Sequence, residues 1–252
     1  MKLLTLARDL KRRKARDKHH LFVAEGVRTV TELLRSGLPL RGVLVAPQLL
    51  DAPRAQPLVQ AIEERHVHRE DVDAREFASA AETESPQGIL AIAEFPDRSF
   101  TSLATGWKGV LVILDAVQDP GNVGTILRTA AALGATATIA LPGTVDLWNA
   151  KVVRSGMGAH FRHLAFNATW DALDAFRQQE HIRLVAADAA GDPVTQVTRS
   201  ARVALIVGNE GAGLSPESRA RADQVVAITL APDVESLNVA VATGILLHTL
   251  TQ

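Results

Sequence analysis

The sequence contains no cysteine and no tyrosine, and only 4% of its residues are aromatic. Without cysteine there can be no disulfide, no thiolate nucleophile and no Cys-based zinc site. With so few aromatic rings, a nucleic acid would be held through its phosphates and its shape rather than by base stacking. No apolar run is long enough to span a bilayer, because charges, prolines or glycines interrupt each one. The opening "MKLLTLARDLKRRKARDKHH" lacks the apolar core and cleavage site of a secretory signal, and its aspartates and missing serine argue against a transit peptide. A cytoplasmic protein is the expectation. G-x-S-x-G is absent, which removes simple hydrolase readings. G-x-G-x-x-G is absent too, which leaves a nicotinamide-dependent oxidoreductase weakly supported. His66/His68 and His160/His163 lack acidic or cysteine companions at ligand spacing, so no metal site is expected.

What is present is ordinary globular composition, 47% hydrophobic and 22% charged over 252 residues. The net charge of −1 conceals an asymmetry. Residues 1–20 hold eight Lys or Arg against Asp9 and Asp17; of the totals of 27 basic and 28 acidic residues, 19 and 26 remain for the rest of the chain. A basic segment on an acidic body suits a polyanion-binding arm, and equally a solvated surface helix.

Two α/β blocks follow. In the first, "FVAEG", "GVLVAP" and "GILAIAEF" read as strands. "VRTVTELLRSG" reads as a helix stopped by Gly37, "PLVQAIEERH" as one opening at Pro57, and "AREFASAAE" as a third. The polar, turn-rich "PDRSFTSLATGWKG" reads as a linker. In the second block, apolar runs such as "GVLVILDAV" and "VALIVGN" alternate with helical patterns, which argues for a parallel sheet covered by helices.

Ligands of such sheets bind beyond the carboxyl ends of the strands, and three strand ends carry unusual loops. In "LDAVQDPGNVGTILRTAAALGA", Asp119-Pro120-Gly121 makes a turn and Asn122 is the expected N-cap of a helix beginning at Val123 and closed by Gly134. The backbone N–H groups of Asn122 and Gly124 would offer an anion site, with Arg128 less than two turns further along. In "LIVGNEGAGLSPE", Gly208, Asn209 and Glu210 precede a helix capped by Ser215, its glycines permitting close approach to the backbone. In "APDVESLNVAVATGILLHTL", Ser236 or Asn238 would cap the final helix.

Together these loops resemble the three motifs of the SpoU (TrmH-type) RNA ribose methyltransferases of the SPOUT superfamily. Asn122, Gly124 and Arg128 match the first motif; Gly208, Glu210, Gly213 and Leu214 the second; Ser236, Leu237, Asn238, Val239 and Ala240 the third. The first block more loosely resembles the family's RNA substrate-binding domain, of ribosomal-protein-like fold. The chain departs from the family at Pro232, where a glycine is usual, and at Gly156, where serine is common.

The resemblance implies an RNA substrate-binding domain over 1–95, a linker over 96–108 and a methyltransferase domain over 109–252. The latter would be an α/β parallel-sheet domain with a deep trefoil knot, working as a homodimer. It further implies S-adenosyl-L-methionine as cofactor, held at Gly208, Asn209, Ile228, Leu230 and Leu237, and methylation of a ribose 2′-hydroxyl. Asn122, Arg128, Glu210, Ser236 and Asn238 are the implied catalytic set. Ribosomal RNA is the favoured substrate; transfer RNA, or a non-catalytic RNA-binding protein on the same fold, is the alternative. Arg8, Arg12, Arg13 and Arg16 are the expected RNA contacts.

Overall fold

The computed structural model describes residues 2–198 and 200–252. The chain forms two compact units, one comprising residues up to 97 together with 148–162, the other residues 98–147 and 163 onward.

The first unit begins with α1 (Leu3–Asp9) and α2 (Arg13–His19). Leu3, Leu4, Leu6, Ala7 and Leu10 are buried and close one side of this unit's core. The basic N-terminus is therefore an amphipathic cover rather than a free arm. At roughly 2 kcal/mol per buried leucine, its apolar face contributes substantially to the fold. There follow β1 (Leu21–Glu25), α3 (Val27–Ser36), β2 (Leu40–Val45), α4 (Ala55–Glu64), β3 (Arg69–Asp71), α5 (Ala74–Ala80) and β4 (Ile89–Glu94). Val27, Val30, Leu33 and Leu34 are buried, as their helical spacing predicts, and Gly37 ends α3 at φ 78. Helix α4 starts two residues before Pro57, and the edge strand β3 has no apolar alternation from which it could be read. The strand order is β1-β4-β2-β3, antiparallel except for the parallel pair β2–β3.

The other unit contributes β5 (Gly109–Leu114), α6 (Pro120–Ala132) and β6 (Ala137–Ala140) before the chain forms α7 (Ala150–Ser155) and α8 (Ala159–Arg162). Residues 148–162 pack with the first unit, although the sequence pattern assigns them to the second. Trp148 lies 4.5 Å from Phe22 and 5.4 Å from Phe95, and Phe161 lies 5.9 Å from Phe22, between ring centroids. Gly156 stands where a Cβ would come within 2.6 Å of His160 Nδ1, so the departure from serine accompanies close packing of that ring. The chain continues with β7 (Ala165–Asn167), α9 (Trp170–Glu180), β8 (Arg183–Pro193), β9 (Arg202–Val207), α10 (Pro216–Arg221), β10 (Gln224–Ala227) and α11 (Val239–Thr251). Residues 98–108, read as linker, pack onto this unit: Phe100 stacks on Phe176 at 4.4 Å, and Trp107 is buried.

The six strands run parallel in the order β10-β8-β9-β5-β6-β7. Adjacent β5 and β9 form the buried centre, which explains their continuous apolar runs. From β5 the chain moves through α6 toward β6, and from β9 it moves through α10 toward β10, on opposite sides. This divergence makes the carboxyl ends of β5 and β9 a topological switch point, the position where open sheets bind ligands.

His163 is buried, and its Nε2 lies 2.8 Å from Thr138 Oγ1. Burial, with the nearby Arg98 charge, pushes its pKa down to about 4. An unfolded histidine takes up a proton near pH 6.5 while the folded one does not, so this group's contribution is complete above that value. It is lost as the pH falls from about 6.5 to 4, by up to about 3 kcal/mol. Denaturant titrations at stepped pH should show this decline in the wild type and a flatter curve for His163→Gln; equal slopes would exclude His163 as its source.

Candidate active site

The loop after β5 opens with Asp115, a buried carboxylate that sequence reasoning missed. Its Oδ2 accepts from Ser215 N at 2.7 Å and from Ser218 Oγ at 2.5 Å, fixing the start of α10 to the end of β5. The only clue in the sequence is an acidic residue ending an apolar run. Ala116 takes a left-handed conformation (φ 57), and its carbonyl accepts from Asn209 Nδ2 at 2.9 Å.

Helix α6 begins earlier than its sequence suggests. Pro120 occupies its first turn, and Asp119, not Asn122, is the N-cap, its carboxylate accepting from Asn122 N at 2.9 Å. The expected anion site at the Asn122 N–H is thus occupied by the chain's own side chain. A second internal carboxylate occupies the turn before it. Glu210 Oε2 accepts from Gln118 N at 3.1 Å, and Oε1 accepts from Asp119 N and Asn122 Nδ2, both at 3.0 Å. Burial alone would raise the Glu210 pKa. The hydrogen bonds from Asn122 and from the Glu210, Gln118 and Asp119 backbones outweigh it and hold the carboxyl below its ordinary value.

The displaced capping residue has another task. Asn122 Oδ1 accepts from Asn238 Nδ2 at 2.9 Å, while Asn238 Oδ1 accepts from Ala240 N at 2.9 Å and Val241 N at 3.3 Å, capping α11. Of the two caps that the sequence allows for α11, the structure uses Asn238; Ser236 stands exposed two residues earlier. Glu210, Asn122 and Asn238 therefore form one hydrogen-bonded chain through all three loops. Its directions are forced, because a carboxylate can only accept and each amide has one donating and one accepting end.

The second loop is closed internally. Asn209 and Gly213 exchange backbone hydrogen bonds of 2.9 Å, and Asn209 Oδ1 accepts from Gly211 N and Ala212 N at 2.9 Å. The Asn209 side chain thus organises the loop. Gly208 is required for the same closure: a Cβ there would lie 2.4 Å from Gly213 C and O. The glycine makes room for the loop itself, not only for a ligand.

Between the second and third loops and the end of β8 lies a cleft of about 480 Å³. It is lined by all five residues expected at the cofactor, Gly208, Asn209, Ile228, Leu230 and Leu237, and by Glu210, Ser236 and Asn238. Ala187–Ala189 on β8 and Ala242 and Leu246 on α11 also line it, residues without a motif signal in the sequence. Pro232 lies outside the wall, in a neighbouring depression with Ala231, Val234 and Glu235. Arg128 is exposed on α6, beyond the cleft lining.

Residues 109–248 match the model of the SpoU rRNA Methylase family, and residues 5–91 that of an MRM3-like substrate binding domain. The chain belongs to the SpoU rRNA methylase family. It is 34% identical over 237 residues to the 23S rRNA (guanosine(2553)-2'-O)-methyltransferase RlmP of Bacillus subtilis, covering 94% of this chain and 90% of that protein. Its structure is similar to that of the SpoU methyltransferase AviRb of Streptomyces viridochromogenes in complex with the cofactor AdoMet. The TM-score is 0.86 at 27% identity, covering 100% of this chain and 97% of that one. The AdoMet-bound rRNA methyltransferase of Sinorhizobium meliloti gives a TM-score of 0.84 at 28% identity, covering 98% and 93%. The parallel-sheet unit of this chain is thus a SpoU-type α/β fold.

The arginines expected to contact RNA in this family member are mostly engaged within the first unit. Arg16 is buried and donates from Nη1 to the carbonyls of Leu10 and Lys11 at 2.8 and 2.9 Å, so it is a structural residue rather than a surface contact. Arg8 Nε donates to Ser79 Oγ at 2.7 Å, Arg12 pairs with Asp9, and Arg13 lies 3.7 Å from Asp17. Among the described residues, no group of three or more His, Asp and Glu could hold a metal ion.

Glu210→Gln places a donating amide where three donors now converge. It should lower stability by about 1 kcal/mol, discounted for exposure, and detach α6 from the second loop. Since the carboxyl pKa is depressed, the wild-type bridge is complete above pH 4.5 and lost as the pH falls through the lower folded value. Amide exchange at Gln118 and Asp119 reads it directly; protection in the variant equal to the wild type at neutral pH would contradict the bridge.

Proposed function

We propose that the cleft binds S-adenosyl-L-methionine and that Arg128 positions a ribose 2′-hydroxyl of ribosomal RNA for methylation. As a SpoU-family member, the chain is an S-adenosylmethionine-dependent RNA 2′-O-ribose methyltransferase. The observation that carries this reading is the cleft lined by the second and third loops, with the first loop bonded to both through Glu210, Asn122 and Asn238. Ribosomal RNA is favoured over transfer RNA because RlmP and the Sinorhizobium meliloti enzyme, both matched along nearly their whole length, are named for 23S rRNA and rRNA.

The residues present fit the cofactor. The cleft has the volume of a small-molecule site; Leu230, Leu237, Val207 and Leu246 supply apolar wall, and the backbone at Gly208, Ile228 and Leu237 supplies polar groups for an adenine. The cofactor contributes an electrophilic methyl on a sulfonium sulfur. The protein contributes alignment, which accounts for much of the acceleration in a transfer of this kind. Asn122 and Glu210 act as positioning residues: they fix the first turn of α6, and with it the helix carrying Arg128. Ser236 and Asn238 orient the acceptor. Arg128 binds the phosphate of the target nucleotide and stabilises the developing alkoxide, and phosphate or water carries the proton away. A guanidinium stays protonated in proteins, which weighs against its acting as a literal base.

We also place a trefoil knot and a homodimer in this reading. Residues 228–238 leave the edge strand β10 and return to α11, which packs on α6, β5 and β9 at the centre of the sheet, a path consistent with threading. Val241 and Ile245, 52% and 41% exposed, stand one turn apart on α11 and suit a helical interface with a second copy. The N-terminal unit serves as the ribosomal-protein-like substrate domain, and the sequence, without a secretory signal or transit-peptide pattern, supports a cytoplasmic enzyme.

Calorimetric titration with S-adenosylmethionine should give saturable binding to the wild type and none to folded Gly208→Ala, whose Cβ collides with Gly213. Equilibrium sedimentation of the same sample should return twice the chain mass. Absence of cofactor binding, with and without rRNA, would leave a non-catalytic RNA-binding module. In rate measurements across pH, Arg128→Lys should lose at least tenfold without gaining a lower basic limb, since lysine keeps the charge but loses the planar fork. A near wild-type rate with such a limb would favour Arg128 as base.

A further inference from the structure

The N-terminal unit holds a second cavity, of about 760 Å³, between α3 and α4. Its floor is small and apolar, with Leu34, Leu58 and Ala61. Its rim carries four arginines, Arg28 and Arg35 from α3, and Arg54 and Arg65 from the two caps of α4. Arg28 and Arg35 are seven residues apart and so share one face of α3, about 10 Å apart along its axis. Arg54 and Arg65 bracket the facing side of α4 from end to end.

The charge balance is one-sided. Glu32 is the single carboxylate on the lining, and it is already shared by two guanidinium groups, Arg35 at 3.2 Å and Arg162. Arg28 and Arg54 have no acidic partner among the described residues. Arg54 also holds a left-handed backbone (φ 65) at the N-cap of α4, a conformation that a bulky side chain rarely adopts and that is retained mainly where the surroundings impose it. Excess positive charge spread over both walls of a concave surface is the footprint of an extended polyanion rather than of a compact one.

We infer that this groove carries the RNA sugar–phosphate backbone, with Arg28 and Arg54 as its direct phosphate contacts, while Arg35, paired to Glu32, and Arg65, which donates to the Leu34 carbonyl, add to the positive field of the walls. The inference rests on the RNA methyltransferase reading and deepens it, moving the RNA footprint from the N-terminal basic segment, whose arginines are largely engaged within the fold, to the α3–α4 groove. Nothing here is sequence-specific: phosphate contacts set affinity and register, and the choice of nucleotide is made elsewhere.

The test is fluorescence anisotropy of the full chain with a labelled large-subunit rRNA transcript over a series of potassium chloride concentrations. Arg28→Gln combined with Arg54→Gln should weaken binding about tenfold or more. It should also make the log–log salt dependence shallower by roughly 1.5–2, the counterions of two phosphates. A parallel Arg8→Gln, Arg12→Gln, Arg13→Gln variant should lose less. Unchanged affinity and slope in the groove variant, or a loss confined to the N-terminal variant, overturns the inference. So does competition by inorganic phosphate beyond its effect on ionic strength, which would make the cavity a small-anion site. S-adenosylmethionine titration of the same groove variant monitors the other unit, so that failure of the methyltransferase reading is seen separately.

Discussion

The candidate site depends on a chain of three side chains whose hydrogen-bond directions admit one arrangement. Glu210 can only accept, so the Asn122 amide must turn its nitrogen toward it and its oxygen away. That oxygen takes the Asn238 amide nitrogen, which leaves the Asn238 oxygen facing the N–H groups of Ala240 and Val241. The chain joins the beginnings of α6 and α11. Both are the positive ends of helix dipoles and would repel each other if brought together bare. Here the carboxylates of Asp119 and Glu210 meet the first and an amide oxygen meets the second, and the intervening amides are polarised in the same sense. Replacing any member with a residue of the wrong polarity reverses a donor or an acceptor, not merely a contact.

The network can form because the sheet brings its parts together. Leu114 and Val207 are paired partners at the ends of β5 and β9, so the loops that follow start side by side. Asp115 holds the start of α10 to β5, and Asn209 holds the second loop to Ala116. With its side chains committed to internal bonds, the second loop presents mainly backbone to the cleft. A site of that kind discriminates by shape and by the positions of peptide groups. This accounts for the weight that glycines carry in the motif and for the scarcity of charged residues in it.

Much of this was legible in the sequence. The parallel sheet, the three strand-end loops, the helix stop at Gly134, the Ser215 cap and the candidate cofactor residues all follow from local pattern or family resemblance. What was not legible depends on partners far away in the chain. Asn122 has a strong preference for N-caps, yet Asp119 takes that role because Pro120 already suits the first helical turn and because Asn122 has Glu210 and Asn238 to satisfy. The basic N-terminus looked like an arm because its leucines are few and widely outnumbered; only the packing shows that they close a core. Residues 148–162 follow the sheet in sequence, but their aromatic rings find Phe22 and Phe95 in the first unit, a match that no local period reports. Gly208 was singled out in the sequence for close approach of a ligand, whereas the nearest obstacle to a side chain there is Gly213 of the same loop.

A net charge of −1 would suggest a protein indifferent to charged ligands, and the distribution of that charge argues otherwise. The cleft of the parallel-sheet unit has Asp188 and Glu210 on its lining and no lysine or arginine, with Asp188 paired to Arg219. That lining tolerates a cationic sulfonium and would disfavour a polyanion. The groove of the other unit has four arginines against one carboxylate that is shared by two guanidinium groups. That lining would disfavour a cation and attract phosphates. A methyl transfer to RNA needs both environments in one molecule, because donor and acceptor carry opposite charge. Were both lined by one sign, the phosphates would compete for the donor's cleft or the donor would be repelled from it. Keeping arginine off the cleft lining, with Arg128 outside it on α6 and an arginine-rich groove in the other unit, meets that requirement while leaving the chain close to neutral.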